Sequence, residues 1–214
     1  MRCRLVGSEM CIRDRYGTPL KITYLPKIAT NISRARNWFQ SAIDKFGYNG
    51  NYHYCYCTKS SHFSFIMDEA LRNGAHLETS SAVDIDLIRK LYKSKKIDKT
   101  IRVINNGYKP PAYIEKIKNL IHDGFRNVIP VMDNMEELEN YLDIGDDEIG
   151  FGLRIATEEQ PSYQFYTSRL GIRYDDIIPF YIDKIKPNPQ FSLRMLHFFI
   201  DSGIKDTAYY WSEL

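Results

Sequence analysis

This 214-residue sequence has few cysteines and no long apolar run, and each of these shortages excludes a class of protein. Of the four cysteines, Cys3 and Cys11 lie within residues 1–15, which we expect to lie outside the fold, so only Cys55 and Cys57 remain. Cys55 and Cys57 lie two residues apart on one candidate strand, where they are poorly placed to bridge each other. Such cysteine usage is typical of a reducing cytoplasm, where we expect the protein to reside. No apolar run of membrane-spanning length and no signal-peptide pattern occurs, so neither a membrane span nor export is indicated.

The sequence also lacks a real excess of charge. Its formal net charge of +2 comes from residues 1–15, which show no periodicity and resemble translated sequencing-adapter read-through. These residues hold four arginines against Glu9 and Asp14, so without them Lys+Arg falls from 29 to 25 and Asp+Glu from 27 to 25. The neutral remainder has no basic stripe, which argues against nucleic acid or acidic membranes as partners. We expect residues 1–15 to lie outside the fold and residues 16–214 to form one domain.

Metal-binding patterns are missing as well. The five histidines are not spaced like zinc ligands, and two cysteines on one strand do not make a tetrahedral site. The acidic stretch at residues 143–148 lacks the ligand order of a calcium loop. The sequence therefore predicts no metal centre.

Strand-like and helix-like segments alternate from Tyr16 onward, and this alternation predicts a parallel α/β sheet. Strands are predicted near residues 20–24, 53–59, 76–78, 101–104, 127–132, 148–155 and 192–199. Helices are predicted near residues 28–46, 64–72, 82–92, 113–122 and 135–142, and after Asp175. From Lys59 onward six strand-plus-connection units fit, whereas a closed βα barrel needs eight.

Lys59 is the most informative candidate for chemistry, because it closes an apolar strand where a lysine can hold a cofactor aldehyde. By period two, Cys55, Cys57 and Lys59 share one face of the strand, and Tyr54, Tyr56 and Thr58 share the other. Desolvation in such a place would favour the neutral amine, which is the form that makes Schiff bases. The alternative is that Lys59 simply begins a solvated loop.

Polar residues recur where the predicted strands end. The candidates are Glu78, Asn105, Asn106, Asp133, Arg154, Asp201 and Ser202. The C-terminal ends of parallel strands form the catalytic face of a βα barrel, so these side chains are expected around one mouth. The alternative is that strand ends commonly meet polar loops.

Four segments together resemble the biosynthetic arginine decarboxylases, a branch of the alanine-racemase-like barrel decarboxylases. Residues 47–62 resemble that family's pyridoxal-phosphate lysine segment, and residues 77–81 its next strand and loop. Residues 106–109 resemble its asparagine-glycine-tyrosine-lysine loop, and residues 168–172 its serine-basic-aromatic-glycine segment. The similarity runs in order over residues 16–214, and the residue 106–109 loop favours the arginine branch over the ornithine and diaminopimelate branches.

The resemblance implies pyridoxal 5'-phosphate as cofactor, bound covalently by Lys59, which would also help to return a proton to the substrate carbon. Glu78 matches an acidic position near the cofactor ring. Arg154 matches a strand-end arginine that could pair with Glu78 or with cofactor oxygens, although a structural ion pair is an equal alternative.

The last strand departs from the family pattern. Phe199 stands where relatives carry a histidine that stacks on the cofactor ring, and Asp201 stands in place of a glycine. A phenyl ring keeps the stacking surface but loses any proton role. Ser202 is retained as a phosphate contact. His197 lies two residues before Phe199 on the same face and could compensate for the missing histidine. The favoured interpretation is a core histidine or one that supports the site from behind.

The resemblance predicts an incomplete pyridoxal-phosphate-binding barrel, with about six of eight strands and without the family's C-terminal β-domain. The implied function is decarboxylation of arginine to agmatine for polyamine synthesis, in an enzyme that forms a homodimer or larger oligomer. The polypeptide by itself would then be poorly soluble or partly molten, and inactive as a decarboxylase. Two alternatives remain, a non-catalytic pyridoxal-phosphate-binding barrel and a decarboxylase of ornithine, lysine or diaminopimelate.

Overall fold

A six-stranded parallel sheet forms the centre of the protein. The computed structural model describes residues 14–156 and 170–198. The strands are β1 (Cys55–Cys57), β2 (His76–Thr79), β3 (Arg102–Asn105), β4 (Asn127–Met132), β5 (Ile149–Arg154) and β6 (Phe191–His197), and they pair in sequence order. Every neighbouring pair is parallel, and a bulge between Phe151 and Gly152 shifts the β5–β6 register. The predicted fold class, an incomplete βα barrel with six strands, is confirmed.

Helices and short turns connect the strands. They are α1 (Pro26–Phe46), α2 (Ser64–Arg72), α3 (Ala82–Lys93), α4 (Pro111–His122) and α5 (Tyr174–Phe180), with 3-10 turns at Thr58–Ser60 and Met135–Tyr141 and a π-helical turn at Tyr181–Ile185. Helix α3 begins at an N-cap residue, Ser81, whose side chain accepts a hydrogen bond from the Asp84 N–H. Ile85, Ile88 and Leu91 then recur at helical spacing and are buried. Within residues 14–156 and 170–198, no helix is long and apolar enough to cross a membrane.

The main core lies between the sheet and its helices. Strands covered on both faces read as continuous apolar runs, and five of the six residues of β4 are buried. Tyr113, Tyr141 and Phe151 are among the largest fully buried side chains. Burying each such side chain contributes about 1.5–3 kcal/mol. This layer holds the strands in register and thereby fixes where their C-terminal ends lie.

The other face of the sheet has a much smaller apolar cluster. It consists of Ile104, Ile129 and Val131, with Cys55 and Met195 packed against them. Gly152 keeps this cluster tight, because a Cβ there would come within 3.0 Å of both Val131 and Met195 side chains. We call this face the inner face, since it corresponds to the interior of a barrel. Its apolar part stops short of the strand ends, which are polar.

Two sequence predictions need correction. Residues 20–24 do not form a strand: Leu20, Ile22 and Tyr24 are exposed, and this segment has no partner strand among the described residues. An extended segment without a hydrogen-bonded neighbour is not stable as a strand. The helix expected at residues 135–142 is a 3-10 turn, Met135–Tyr141, begun by the Asn134 side chain accepting from the Glu137 N–H.

Candidate functional site

Five polar side chains occupy the C-terminal ends of consecutive strands on the inner face. They are Glu78, Asn106, Asp133, Arg154 and His197, and we call them the strand-end cluster. The strand register explains the grouping, because Glu78 lies opposite Ile104 of the inner cluster and Arg154 lies opposite His197. Alternate residues of a strand point to one face, so Asn106 shares the face of Ile104. Of the polar strand-end residues expected from the sequence, the structure brings Glu78, Asn106, Asp133 and Arg154 to this face. His197 joins them.

Glu78, Asn106 and His197 form one hydrogen-bonded chain. The Asn106 amide donates to Glu78 Oε1 at 3.1 Å and lies 3.4 Å from His197 Nε2. Burial lowers the pKa of His197, with the Glu78 carboxylate opposing that effect. His197 therefore favours its neutral form at pH 7, in which one ring nitrogen can accept a hydrogen bond. Asn106 thus connects Glu78 of β2 to His197 of β6, two residues that lie far apart in the sequence.

Asp133 and Arg154 form the second pair of the strand-end cluster. Their side chains are 3% and 13% exposed, and Arg154 Nη1 lies 3.4 Å from Asp133 Oδ1. Asp133 Oδ2 and His197 Nδ1 are buried without a hydrogen-bond partner among the described residues. Buried polar atoms normally find a partner, so these two atoms have hydrogen-bonding capacity that no described residue uses. The described ion pair of Arg154 is with Asp133, whereas the protein partner that the sequence suggested was Glu78.

Lys59 lies at the same edge of the sheet, one turn beyond β1. The strand ends at Cys57, and Lys59 sits in the 3-10 turn that follows. Thr58 anchors this turn by donating its hydroxyl to the Glu78 carbonyl at 3.0 Å, and the Tyr56 hydroxyl donates to the Ser61 carbonyl at 3.0 Å. The Lys59 side chain is exposed, so the desolvation expected from the sequence is absent within the described residues. Its amine is accessible to a cofactor, and Tyr56 and Thr58 are the buried residues of this segment.

The charges of Lys59 and Glu78 both affect the pKa of Cys57. Burial raises the pKa of the Cys57 thiol, the Glu78 carboxylate adds to this, and Lys59 opposes it. Glu78 is also the strand partner of Cys57. Burial raises the pKa of Cys55, one position further into the inner face, to about 11. Both thiols are therefore protonated at pH 7. Lys59 and Glu78 are both close enough to Cys57 to act on it electrostatically.

A buried aspartate braces the loop that follows Lys59. His62 Nε2 lies 2.7 Å from Asp84 Oδ1, and Asp84 Oδ2 accepts from the Ser80 N–H at 2.8 Å. The Asp84 side chain is only 1% exposed. Burial alone would raise the pKa of Asp84, but the hydrogen bonds from Ser80, His62 and Ser81 outweigh it, and the pKa is lowered. The carboxylate thus ties the Lys59 loop to the start of α3.

The Asp84 brace predicts a pH-dependent stability difference. Because its folded pKa lies below its unfolded one, the carboxylate stabilises the fold above the unfolded pKa, and that contribution is lost as the pH falls through the folded pKa. We expect Asp84→Asn to lower the free energy of unfolding by about 1–3 kcal/mol at pH 7. The deficit should shrink below about pH 4. Urea unfolding of both proteins at pH 7 and pH 3 measures it.

Asp86→Asn is the matched control for this experiment. Asp86 lies on the same helix and pairs with Lys116 at 2.6 Å, but its side chain is 49% exposed. An exposed pair contributes little, so this variant should stay within about 0.5 kcal/mol of wild type. If Asp84→Asn lowered the free energy of unfolding equally at pH 7 and pH 3, the ionised Asp84 carboxylate would not be what stabilises this loop.

The remaining sequence candidates fall into two groups. Phe199, Asp201 and Ser202 lie outside the described residues. Asn105 was expected at the mouth but faces the main core, where its amide donates to Thr79 Oγ1 at 2.8 Å. Adjacent strand residues face opposite sides, so Asn105 and Asn106 could not both join the strand-end cluster. Among the described residues no group of three or more His, Cys, Asp or Glu could hold a metal ion.

Sequence reasoning left two features of this region unspecified. His197 was interpreted as a core or supporting residue, and its ring lies within the strand-end cluster beside Asn106. The signal was available, since His197 lies on the face of the strand that the sequence gave to Phe199. The buried pair between Lys109 and Glu137, 2.9 Å apart, was not foreseen. No spacing rule points to it, because 28 residues separate the partners.

Comparison with known sequences gives relatives of one kind. The "Biosynthetic arginine decarboxylase" of Prochlorococcus marinus strain MIT 9303 is 24% identical over 204 residues, covering 89% of this chain and 30% of that protein. The "Biosynthetic arginine decarboxylase 2" of Synechocystis is 24% identical over 220 residues, covering 94% of this chain and 33% of that protein. The chain is similar to biosynthetic arginine decarboxylases. It spans about a third of the length of these curated relatives, and no family model matches it.

Solved structures of amino-acid decarboxylases share the fold. Lysine decarboxylase from Selenomonas ruminantium aligns with a TM-score of 0.72 at 14% identity, covering 98% of this chain and 50% of that one. Diaminopimelate decarboxylase from M. jannaschii in complex with L-lysine gives 0.74 at 17% identity, covering 94% and 46%. The agmatine-bound arginine decarboxylase of Paramecium bursaria Chlorella virus gives 0.61 at 12% identity, covering 96% and 50%. The chain therefore has the fold of about half of each of these decarboxylases.

Proposed function

We propose that the protein is a pyridoxal-phosphate-dependent carboxy-lyase that converts arginine to agmatine and carbon dioxide, a step of polyamine synthesis. The observation that carries the proposal is the accessible Lys59 amine at the same strand-end edge as the polar strand-end cluster. Arginine is chosen as substrate because the curated relatives are named for it. A reducing cytoplasm and a homodimer or larger oligomer belong to the same proposal.

The residues present fit the proposed cofactor. An exposed lysine amine is available for its aldehyde. Arg154 supplies a nearly buried cation, while Asp133 Oδ2 and His197 Nδ1 supply hydrogen-bonding capacity that no described residue uses. When bound, pyridoxal phosphate supplies the aldehyde that takes up the substrate amine and the conjugated ring that receives electrons from the breaking bond to carbon dioxide.

Each described residue then has a role that its surroundings support. Lys59 holds the cofactor and carries a proton at Nζ that can replace the lost carboxylate on the substrate carbon. Glu78, oriented by Asn106, would supply a negative charge near the cofactor ring. Arg154, held by Asp133, would supply a fixed cation for cofactor oxygens. Phe199 and Ser202 are proposed from the sequence alone as the stacking residue and the phosphate contact.

The test uses the protein expressed from its complete reading frame. With pyridoxal phosphate present, we expect release of carbon dioxide from arginine in equal amount to agmatine formed. Parallel reactions with ornithine, lysine and diaminopimelate identify the substrate. A higher kcat/KM for one of these three would replace arginine. Cofactor binding without carbon dioxide from any of the four would establish a non-catalytic barrel and end the proposal.

A further inference from the structure

The feature that carries a further inference is a buried ion pair between Lys109, in the β3–α4 connection, and Glu137, in the turn after β4. The two side chains are 0% and 9% exposed, and Lys109 Nζ lies 2.9 Å from Glu137 Oε2. The same ammonium donates to the Gly107 carbonyl at 2.9 Å and to the Val131 carbonyl. An ammonium group has three donors, so Lys109 uses its full capacity.

The pair joins two loops, and each of them carries one residue of the strand-end cluster, Asn106 or Asp133. On one side, Gly107 directly follows Asn106, whose amide holds Glu78. Gly107 has a φ of 79°, a left-handed conformation that places its carbonyl within reach of Lys109. On the other side, Glu137 Oε1 accepts from the Asp133 N–H at 3.4 Å. Lys109 and Glu137 thus connect the backbone beside Asn106 to the backbone of Asp133.

Stability alone does not explain a buried pair at this place. Replacing such a pair with apolar side chains of similar volume is often neutral or stabilising, because desolvation offsets the Coulomb attraction. A fully hydrogen-bonded buried network does, however, restrict its members to one arrangement. Here the restricted members are the two loops from which Asn106 and Asp133 reach Glu78 and Arg154.

We propose that Lys109 and Glu137 are positioning residues that fix Asn106 and Asp133, and through them Glu78 and Arg154, for the reaction at the strand-end cluster. This inference rests on the proposed function. Neither residue is required to touch substrate or cofactor. The effect of the pair is to hold polar groups to the sub-ångström accuracy that such chemistry demands.

The experiment compares three variants of the protein expressed from its complete reading frame. Lys109→Met removes the charge at similar length, and we expect kcat/KM for the amino-acid substrate to fall by about 10²-fold. Lys109→Met combined with Glu137→Leu removes both charges, and we expect its thermal midpoint to recover toward wild type while kcat/KM stays low. Lys116→Met is the control, since Lys116 pairs with Asp86 at 2.6 Å in a partly exposed position on α4. This control should keep wild-type kcat/KM.

The double variant separates positioning from stability. If kcat/KM recovers together with the thermal midpoint, the pair is merely structural and the proposal is overturned. A single variant within about threefold of wild type also overturns it. Failure of the proposed function is distinguishable, because it shows as inactivity of the wild type. In that case amide hydrogen exchange decides the geometry: faster exchange at residues 105–109 and 131–137 in Lys109→Met supports the positioning role, and unchanged exchange contradicts it.

Discussion

Lys59→Ala is expected to abolish turnover and covalent cofactor binding while leaving the fold intact. Lys59 lies in an exposed turn whose anchors are Thr58, Tyr56 and Ser60 and do not include the lysine side chain. Losing the amine removes both the attachment point for the cofactor aldehyde and the proton carrier. We expect kcat/KM to fall by about 10³-fold or more. The thermal midpoint without cofactor should stay within about 2 °C of wild type, because the removed side chain is exposed.

Two further variants make this result specific. Lys59→Arg keeps the positive charge but cannot form the covalent bond, so it should be as inactive as Lys59→Ala. Lys90→Ala removes an exposed lysine of α3 and should retain full activity. Substantial turnover by Lys59→Arg would show that only charge matters at this position, which the proposed chemistry does not allow. The measurements are the steady-state assay and the visible absorbance of bound cofactor.

The largest loss of stability is expected from Phe151→Ala. Phe151 is fully buried in β5, and its ring packs edge-on against Tyr141 at 5.3 Å and Phe191 at 5.2 Å. Truncating a buried phenylalanine removes its transfer free energy and leaves a cavity, which together cost about 3–5 kcal/mol. Since a domain is stable by only about 5–15 kcal/mol, the variant should be close to unfolding. The measurement is the urea midpoint of unfolding at pH 7.

Phe46→Ala is the matched control for the core prediction. Phe46 closes α1 and its side chain is 76% exposed. Surface substitutions of this kind usually stay within about 0.5 kcal/mol of wild type. If Phe151→Ala and Phe46→Ala had equal urea midpoints, β5 would not lie at the centre of the core.

The fold was largely predictable from the sequence because its elements are periodic and bounded by local signals. The helix predicted at residues 64–72 has those bounds, and the six strands counted from Lys59 are present in that number. Tertiary context decided the exceptions. Residues 20–24 have a strand-like composition but no strand to pair with among the described residues. The turn at Met135–Tyr141 follows its Asn134 cap rather than extending as an α-helix.

Part of the membership of the candidate site was predictable, but its contacts were not. Strand-end position was enough to nominate Glu78, Asp133 and Arg154. They could not tell that Asn106, not Asn105, faces the site, since a shift of one residue reverses the face of a strand. Nor could they pair Arg154 with Asp133 or Lys109 with Glu137, because these contacts depend on how loops fold back over the strands.

Chemical trapping of the cofactor tests the central claim most directly. The protein expressed from its complete reading frame is loaded with pyridoxal phosphate, reduced with borohydride, digested and mapped by mass spectrometry. Reduction makes the bond between the cofactor aldehyde and a lysine permanent. The account predicts one dominant pyridoxyl-phosphate adduct, on the peptide that contains Lys59. An adduct concentrated on another lysine, or no adduct at saturating cofactor, would contradict it.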